Sequence, residues 1–340
     1  MPASDQVEQA IKAIGPMQDD DWKIDPVAHV SQLGSEAPEL CAVLQRSEVS
    51  RTAAEYVDKG REAVRSQKCY VRTAERANQA ILVSGCIAAL VMCLGTLIND
   101  DKDLSWWFAI LGILGIGTGA LAAMWLSRVR DGEMLRHWTH SRARAEAMRL
   151  DYFRAVLQAE PGENDNPTRL TLLKLEYFRR FLLDSQLSYF RVRTGQHQES
   201  ADRCLSQTTR WTCIATVMTG SAGLLAAKFP DLAALAAGGI AATAVASMFS
   251  NREFLSQHQA NSQRYSNTRE KLFDIAKQLT ATRELILTGH AEVLRSIYEA
   301  TREVLMSEHS QWLEGTKRID LAIERLEGQL DDIRNKPTQA

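Results

Sequence analysis

Seven histidines, six cysteines and one glycine run are the residues of this 340-residue chain best suited to chemistry, and their spacing decides what they can do. His29, His137, His140, His197, His258, His290 and His309 are scattered. Only His137 and His140 share a helical face, at i and i+3, with neither a cysteine nearby nor an acid placed to complete a ligand set, so no zinc site is read here. Cys41, Cys69, Cys86, Cys93, Cys204 and Cys213 form no CxxC and no paired spacing, which fits small hydrophobes kept reduced in a helical bundle. The run GILGIGTG (residues 112–119) superficially matches a phosphate-binding glycine motif. It lies inside an apolar block instead of between a strand and a helix, which removes the context the motif needs. No Ser, His and Asp arrangement is marked. The sequence therefore predicts no enzyme, no metal and no cofactor, and assigns no ligand-binding residues.

The elements that carry these residues are of one kind. Charged residues make up 24% of the chain and the formal net charge is -2, as in an ordinary soluble protein. The apolar residues are concentrated, however, in four blocks: Gln79 to Ile98, Leu104 to Leu126, Trp211 to Phe229 and Leu232 to Phe249. Only Lys228 in them is charged. At about 1.5 Å per residue, such blocks reach roughly the 30 Å of a bilayer's hydrocarbon core. The fourth block, LAALAAGGIAATAVASMF, is alanine-rich and weakly hydrophobic, so a buried soluble helix competes with a span there. No basic run exceeds a pair of arginines, so no nucleic acid is expected as a partner.

The predicted fold class is all-α: an integral membrane protein with two transmembrane helical hairpins, four spans in all, and long cytoplasmic helices forming a bundle or coiled coil. The hairpins turn through NDDKD (99–103) and around Lys228, Pro230 and Asp231. Connections this short make antiparallel neighbours. Arginines flank the outer ends (Arg72, Arg76, Arg128, Arg130, Arg136; Arg203, Arg210, Arg252), so the positive-inside rule places both termini and every long segment in the cytoplasm. The acidic N-terminus carries no signal-peptide core, so it is expected to stay in the cytoplasm while the chain crosses the membrane several times.

The hairpins recur with similar offsets, Leu104 to Leu232 and Arg128 to Arg252, which reads as a diverged tandem duplication. The expected divisions are an acidic segment 1–46, a first helix, two-span and helix unit 47–160, a second such unit 161–290, and a C-terminal helix and tail 291–340. EPGENDNP (160–167) breaks the helices between the hairpins. From Asn251 to Asn335 there is no proline, and apolar residues return every three, four or seven positions (Leu272, Ile275, Leu279, Ile286, Ile297, Val304, then Trp312 to Ile333). That spacing predicts one long helix packed on its neighbours or on a second copy, with Gly289 and Gly315 as interruptions. The first 45 residues carry eight acids against two lysines and fit either a solvated tail or a regulatory cap.

Function is sought in the small residues of the spans, because glycine facing lipid weakens a helix, whereas glycine facing another helix allows close approach. Gly112, Gly115 and Gly119 are read as helix-packing positions. Thr212, Thr216, Thr219, Gly220, Gly239, Thr243 and Ser247 in the second hairpin are the candidate pore-facing residues. Packing alone explains them as well. No span carries a central charge, so proton relays, voltage sensing and ion-coupled transport are disfavoured, and such a pore would be polar, uncharged and poorly selective.

RAEAMRLDYFRAVL (Arg144 to Leu157) and KLEYFRRFLLDSQLSYFRVRTG (Lys174 to Gly195) resemble the segments that link paired hairpins in the SLATT family, the SMODS- and SLOG-associating two-transmembrane effector domains. The resemblance covers roughly Ser47 to Leu287 and suggests two units in tandem. It implies a bacterial membrane effector of antiviral conflict systems that disrupts the inner membrane when triggered, acting beside enzymes that make or sense nucleotide signals. It supplies no catalytic residues. The expected partners are the lipid bilayer, further copies of the chain, and a nucleotide second messenger or its synthase or sensor protein. Residues Arg128 to Arg210 hold fifteen basic residues against eleven acids, which suits a phosphate-bearing signal and equally fits the positive-inside excess. Three readings result: a gated pore or membrane-disrupting effector, a membrane-anchored scaffold that docks a signalling enzyme, and an enzyme with a cryptic site.

Overall fold

A computed structural model of the chain describes residues 8, 11–12, 14–19, 21, 23–34, 36–97, 105–130, 133–225, 234–312 and 314. The chain is all-α: among the described residues every regular element is a helix. In order these are α1 (Pro26–Leu33), α2 (Pro38–Leu44), α3 (Ser47–Leu97), α4 (Ser105–Arg130), α5 (Glu133–Gln158) and α6 (Pro167–Phe178). A π-helical turn (Arg179–Asp184) leads into α7 (Ser185–Leu225), followed by α8 (Ala234–Ser256), α9 (His258–Lys277), α10 (Leu279–Leu287) and α11 (293–312).

Local chemistry sets the boundaries. Asp25 and Asn166 act as N-caps, their side chains accepting from the Ala28 and Arg169 amides at 3.1 Å, each followed by proline at the first helical position. The break at 159–166 falls where EPGENDNP lies. At the end of α5 the buried Lys174 ammonium donates to the Leu157 carbonyl at 3.2 Å and to that of Ala159, covering acceptors the helix leaves open. Burial pushes the Lys174 amine down to about 8.

The long helix expected from Asn251, with interruptions at Gly289 and Gly315, is broken at Gly289 and also at two earlier positions. Gln257 takes a left-handed conformation (φ 48°) between α8 and α9, and Glu253 caps the new start by accepting from the Gln259 amide at 2.9 Å. Gln278 separates α9 from α10, and Gly289 (φ 101°) lies in the turn before α11. Gly315 and the apolar positions from Ile319 to Ile333 lie outside the described residues, as do both hairpin turns.

The chain divides into two compact units. The first gathers Met1–Ser66, Trp138–Gly195 and Asn261–Gly315. Its core is aromatic and aliphatic: Tyr152, Phe153, Tyr177, Phe178, Leu170 and Leu173 are fully buried. Leu272, Ile275 and Ile297, from the heptad-like pattern, are buried in this same cluster, which shows the pattern serving the chain's own bundle. The acidic N-terminal segment is packed: Ile14, Leu40 and Leu44 are fully buried in that core, and Asp21 and His29 are buried as well.

The second unit gathers Gln67–His137, Gln196–Ala260 and Thr316–Ala340. Among the described residues three helices are long and apolar enough to cross a membrane, running over Ser47–Gly95, Trp106–Gln158 and Ala234–Leu287. The third apolar block is not among them. Its described part, Trp211 to Leu225, carries Thr212, Thr216 and Thr219, and residues 226–229 lie outside the described residues. Within this unit α3 meets both α4 and α8: Asn78 donates to the Met248 carbonyl at 3.0 Å, and Ser84 donates to the Gly115 carbonyl at 3.2 Å.

Candidate functional site

Glycine is what lets these helices approach. A side-chain carbon placed on Gly85 of α3 would lie 2.7 Å from the Ala244 Cβ of α8. One on Gly115 would lie 3.3 Å from an Ile87 methyl, and one on Gly119 3.4 Å from the Ser84 hydroxyl. At Gly112 nothing among the described residues stands within 4 Å, so that glycine takes no part in this packing. Between α7 and α8 the tightest positions are Gly238, against Met218, and Gly239, against Thr219 and 3.2 Å from the Ala215 carbonyl oxygen.

Beside that α7–α8 contact lies an open groove of about 610 Å³. Thr212, Thr216, Thr219 and Gly220 line it from α7, and Thr243 and Ser247 from α8. Gly239 alone of the seven singled-out residues does not line it, being buried in the helix contact itself. Helical spacing explains the convergence: 212, 216, 219 and 220 fall at i, i+4, i+7 and i+8, and 243 and 247 at i and i+4.

The polarity of the groove is muted. Thr216 donates its hydroxyl hydrogen to the Thr212 carbonyl at 2.9 Å, Thr219 to Ala215 at 2.5 Å and Thr243 to Gly239 at 2.9 Å. Each hydroxyl is thus satisfied within its own helix and turns only oxygen lone pairs outward. No residue lining the groove is charged. Such a surface tolerates lipid, accepts hydrogen bonds from water, and offers no fixed charge for selecting ions.

A second groove, of about 710 Å³, lies in the first unit between α7 and α9. Ser188 and Arg191 line one wall; Ser266, Arg269, Glu270 and Phe273 line the other. Arg191, Arg269 and Phe273 are exposed, and neither arginine has an ion-pair partner among the described residues.

Sequence reasoning missed the polar chain under the N-terminal segment. His29 Nδ1 lies 2.7 Å from the Tyr177 hydroxyl, which lies 2.6 Å from that of Tyr152. Arg180 holds Asp21, and Arg179 donates to the Gly15 carbonyl at 3.3 Å. Asp21 stands in the run DDD, and nothing in the sequence separates it from its neighbours. The His197 and His258 rings also meet, Nδ1 to Nδ1 at 2.9 Å, although 61 positions apart. Among the described residues no group of three or more His, Cys, Asp and Glu side chains could hold a metal.

Residues 179–312 match the family model described as SMODS and SLOG-associating 2TM effector domain 1. Over this stretch the chain is similar to a SLATT domain. The stretch begins at the π-turn and takes in α7 to α11, and with them both grooves. The first hairpin lies outside the match, so the tandem arrangement is supported only for its second half. No curated protein and no solved structure matches the chain.

Proposed function

We propose that this chain is a membrane effector of a bacterial conflict system, in which the hydroxyl-lined groove of the second hairpin forms the wall of an opening once several copies assemble. The observation that carries this is the convergence of six small or hydroxyl-bearing residues on one uncharged groove inside the segment that matches an effector domain. In this reading the four apolar blocks all span the inner membrane, the two hairpins are tandem units, and the first compact unit and both termini are cytoplasmic. The arginine excess at the outer ends of the hairpins supports that orientation. The protein does no catalysis of its own.

The trigger is a phosphate-bearing nucleotide, received in the α7–α9 groove. Its volume falls in the range of small-molecule sites, the Arg191 and Arg269 guanidinium groups, with no ion-pair partner among the described residues, suit phosphate, and Phe273 offers a face for a base. Because α7 continues from this groove toward Thr212 and Thr216, a ligand that shifts the helix acts on the span directly.

The internally satisfied hydroxyls favour one other reading. A groove whose Thr216, Thr219 and Thr243 donors are already bonded within their helices packs a neighbouring helix as readily as it holds water, which would make the protein a membrane-anchored scaffold for a signalling enzyme. Expression in bacteria with a membrane-potential dye separates the two. The effector depolarises cells, and Thr216→Leu abolishes this while membrane insertion persists; unchanged depolarisation by Thr216→Leu removes the groove from the account.

A further inference from the structure

The π-turn at Arg179–Asp184 has no local cause. RRFLLD contains neither proline nor glycine and would form ordinary α-helix on its own preferences. Wide turns of this kind are rare and cluster at functional sites. What distinguishes this one is what holds it. Arg180 donates from Nε and Nη2 to the two Asp21 carboxylate oxygens at 2.7 and 3.0 Å, and from Nη1 to the Ile14 carbonyl. Arg179 reaches the Gly15 carbonyl, and the His29 ring packs on Phe181 with centroids 4.0 Å apart. Arg179 also donates to Asp184, five residues on, at 2.6 Å. In an α-helix, residues three and four apart are neighbours and a residue five ahead faces away, so this bond exists only while the wide turn does.

We propose that the N-terminal segment is a clamp on helix register: Asp21, with the Ile14 and Gly15 carbonyls, holds Arg179 and Arg180 in the π-turn, and release of the clamp lets the turn close into α-helix. Closure absorbs one residue and turns the helix beyond it by roughly 100° with a shift of about 1.5 Å. Since α7 runs unbroken from Ser185 to Leu225, the turn is carried to Cys204 and to the threonine face beyond. The segment is thus an intramolecular ligand whose departure re-aims α7. This does not depend on what α7 does in the membrane.

Cys204 is buried and reports the register of α7. The full-length chain in detergent micelles, with its five other cysteines replaced, is treated with a maleimide. Asp21→Ala is expected to speed Cys204 labelling about tenfold as the segment opens. The same substitution in a chain lacking Leu183, where no extra residue remains for a wide turn to hold, is expected to leave Cys204 slow. No acceleration in Asp21→Ala overturns the proposal. So does equal acceleration with and without Leu183, since that marks general loosening and not a change of register.

Discussion

Arg180 and Asp21 form a buried ion pair joining the acidic N-terminal segment to the first turn of the segment that matches the SLATT family model. Both side chains are more than nine-tenths withdrawn from solvent, so removing one partner leaves the other as a buried, uncompensated charge. Asp21→Ala is expected to destabilise the first unit by about 3–5 kcal/mol, while Asp21→Leu combined with Arg180→Met recovers most of that loss. Pulse proteolysis across a urea series, in mild detergent, reads both values.

Burial pushes the His29 imidazole down to about 4, with Asp21 and Asp25 opposing this and Arg180 adding to it. The unfolded chain, with an ordinary imidazole near 6.5, then binds more protons than the folded one between pH 6.5 and pH 4. Stability of the packed N-terminal segment is therefore full above pH 6.5 and falls as pH drops through that window, by roughly 3 kcal/mol at most. Tyr177 accepts or donates the facing bond and stays neutral, its hydroxyl raised well above the usual range by burial. His29→Gln should flatten the slope of stability with pH between 6.5 and 4, measured by the same proteolysis.

The two glycines of the GxxxG pair differ from Gly112 in what they face. Leucine at position 115 meets Ile87 and should cost about 1–3 kcal/mol of helix packing, whereas a Cβ at position 112 has nothing within 4 Å among the described residues, so Gly112→Leu should change stability by under about 0.5 kcal/mol. Thermal unfolding in detergent, followed by helical circular dichroism, orders the two variants.

Nucleotide recognition is read by fluorescence polarisation of a labelled nucleoside diphosphate against the full chain in micelles. Arg191→Gln and Arg269→Gln should each weaken binding about tenfold, the usual loss for one charge-assisted phosphate contact. Unaltered binding in both variants removes the α7–α9 groove as the receiving site. Competition by anionic lipid vesicles but not by free diphosphate would assign the groove to headgroups.

Much of this fold was legible because hydropathy and helix breakers act locally. The described parts of the apolar blocks fall in α3, α4, α7 and α8, and EPGENDNP ended α5 where its composition says a helix must end. Gln257 gave no warning of its break, since a left-handed turn at a non-glycine residue is imposed by surroundings that propensity does not describe. The convergence of Thr216 and Ser247 followed from helical spacing, but whether Gly239 faced the groove or the neighbouring helix depended on how α7 and α8 rotate against each other. The π-turn was invisible for the same reason, because the residue that holds Arg180 lies 159 positions away at Asp21.

In the proposed function the groove beside Thr216 is a path through the membrane. Dye release is read from liposomes loaded with a self-quenching dye, carrying the purified 340-residue chain and given candidate nucleotides. Nucleotide-dependent release by the native chain, lost in Thr216→Leu and kept in Gly112→Leu, is the result expected; equal release by native and Thr216→Leu proteins, or no release from either, contradicts it.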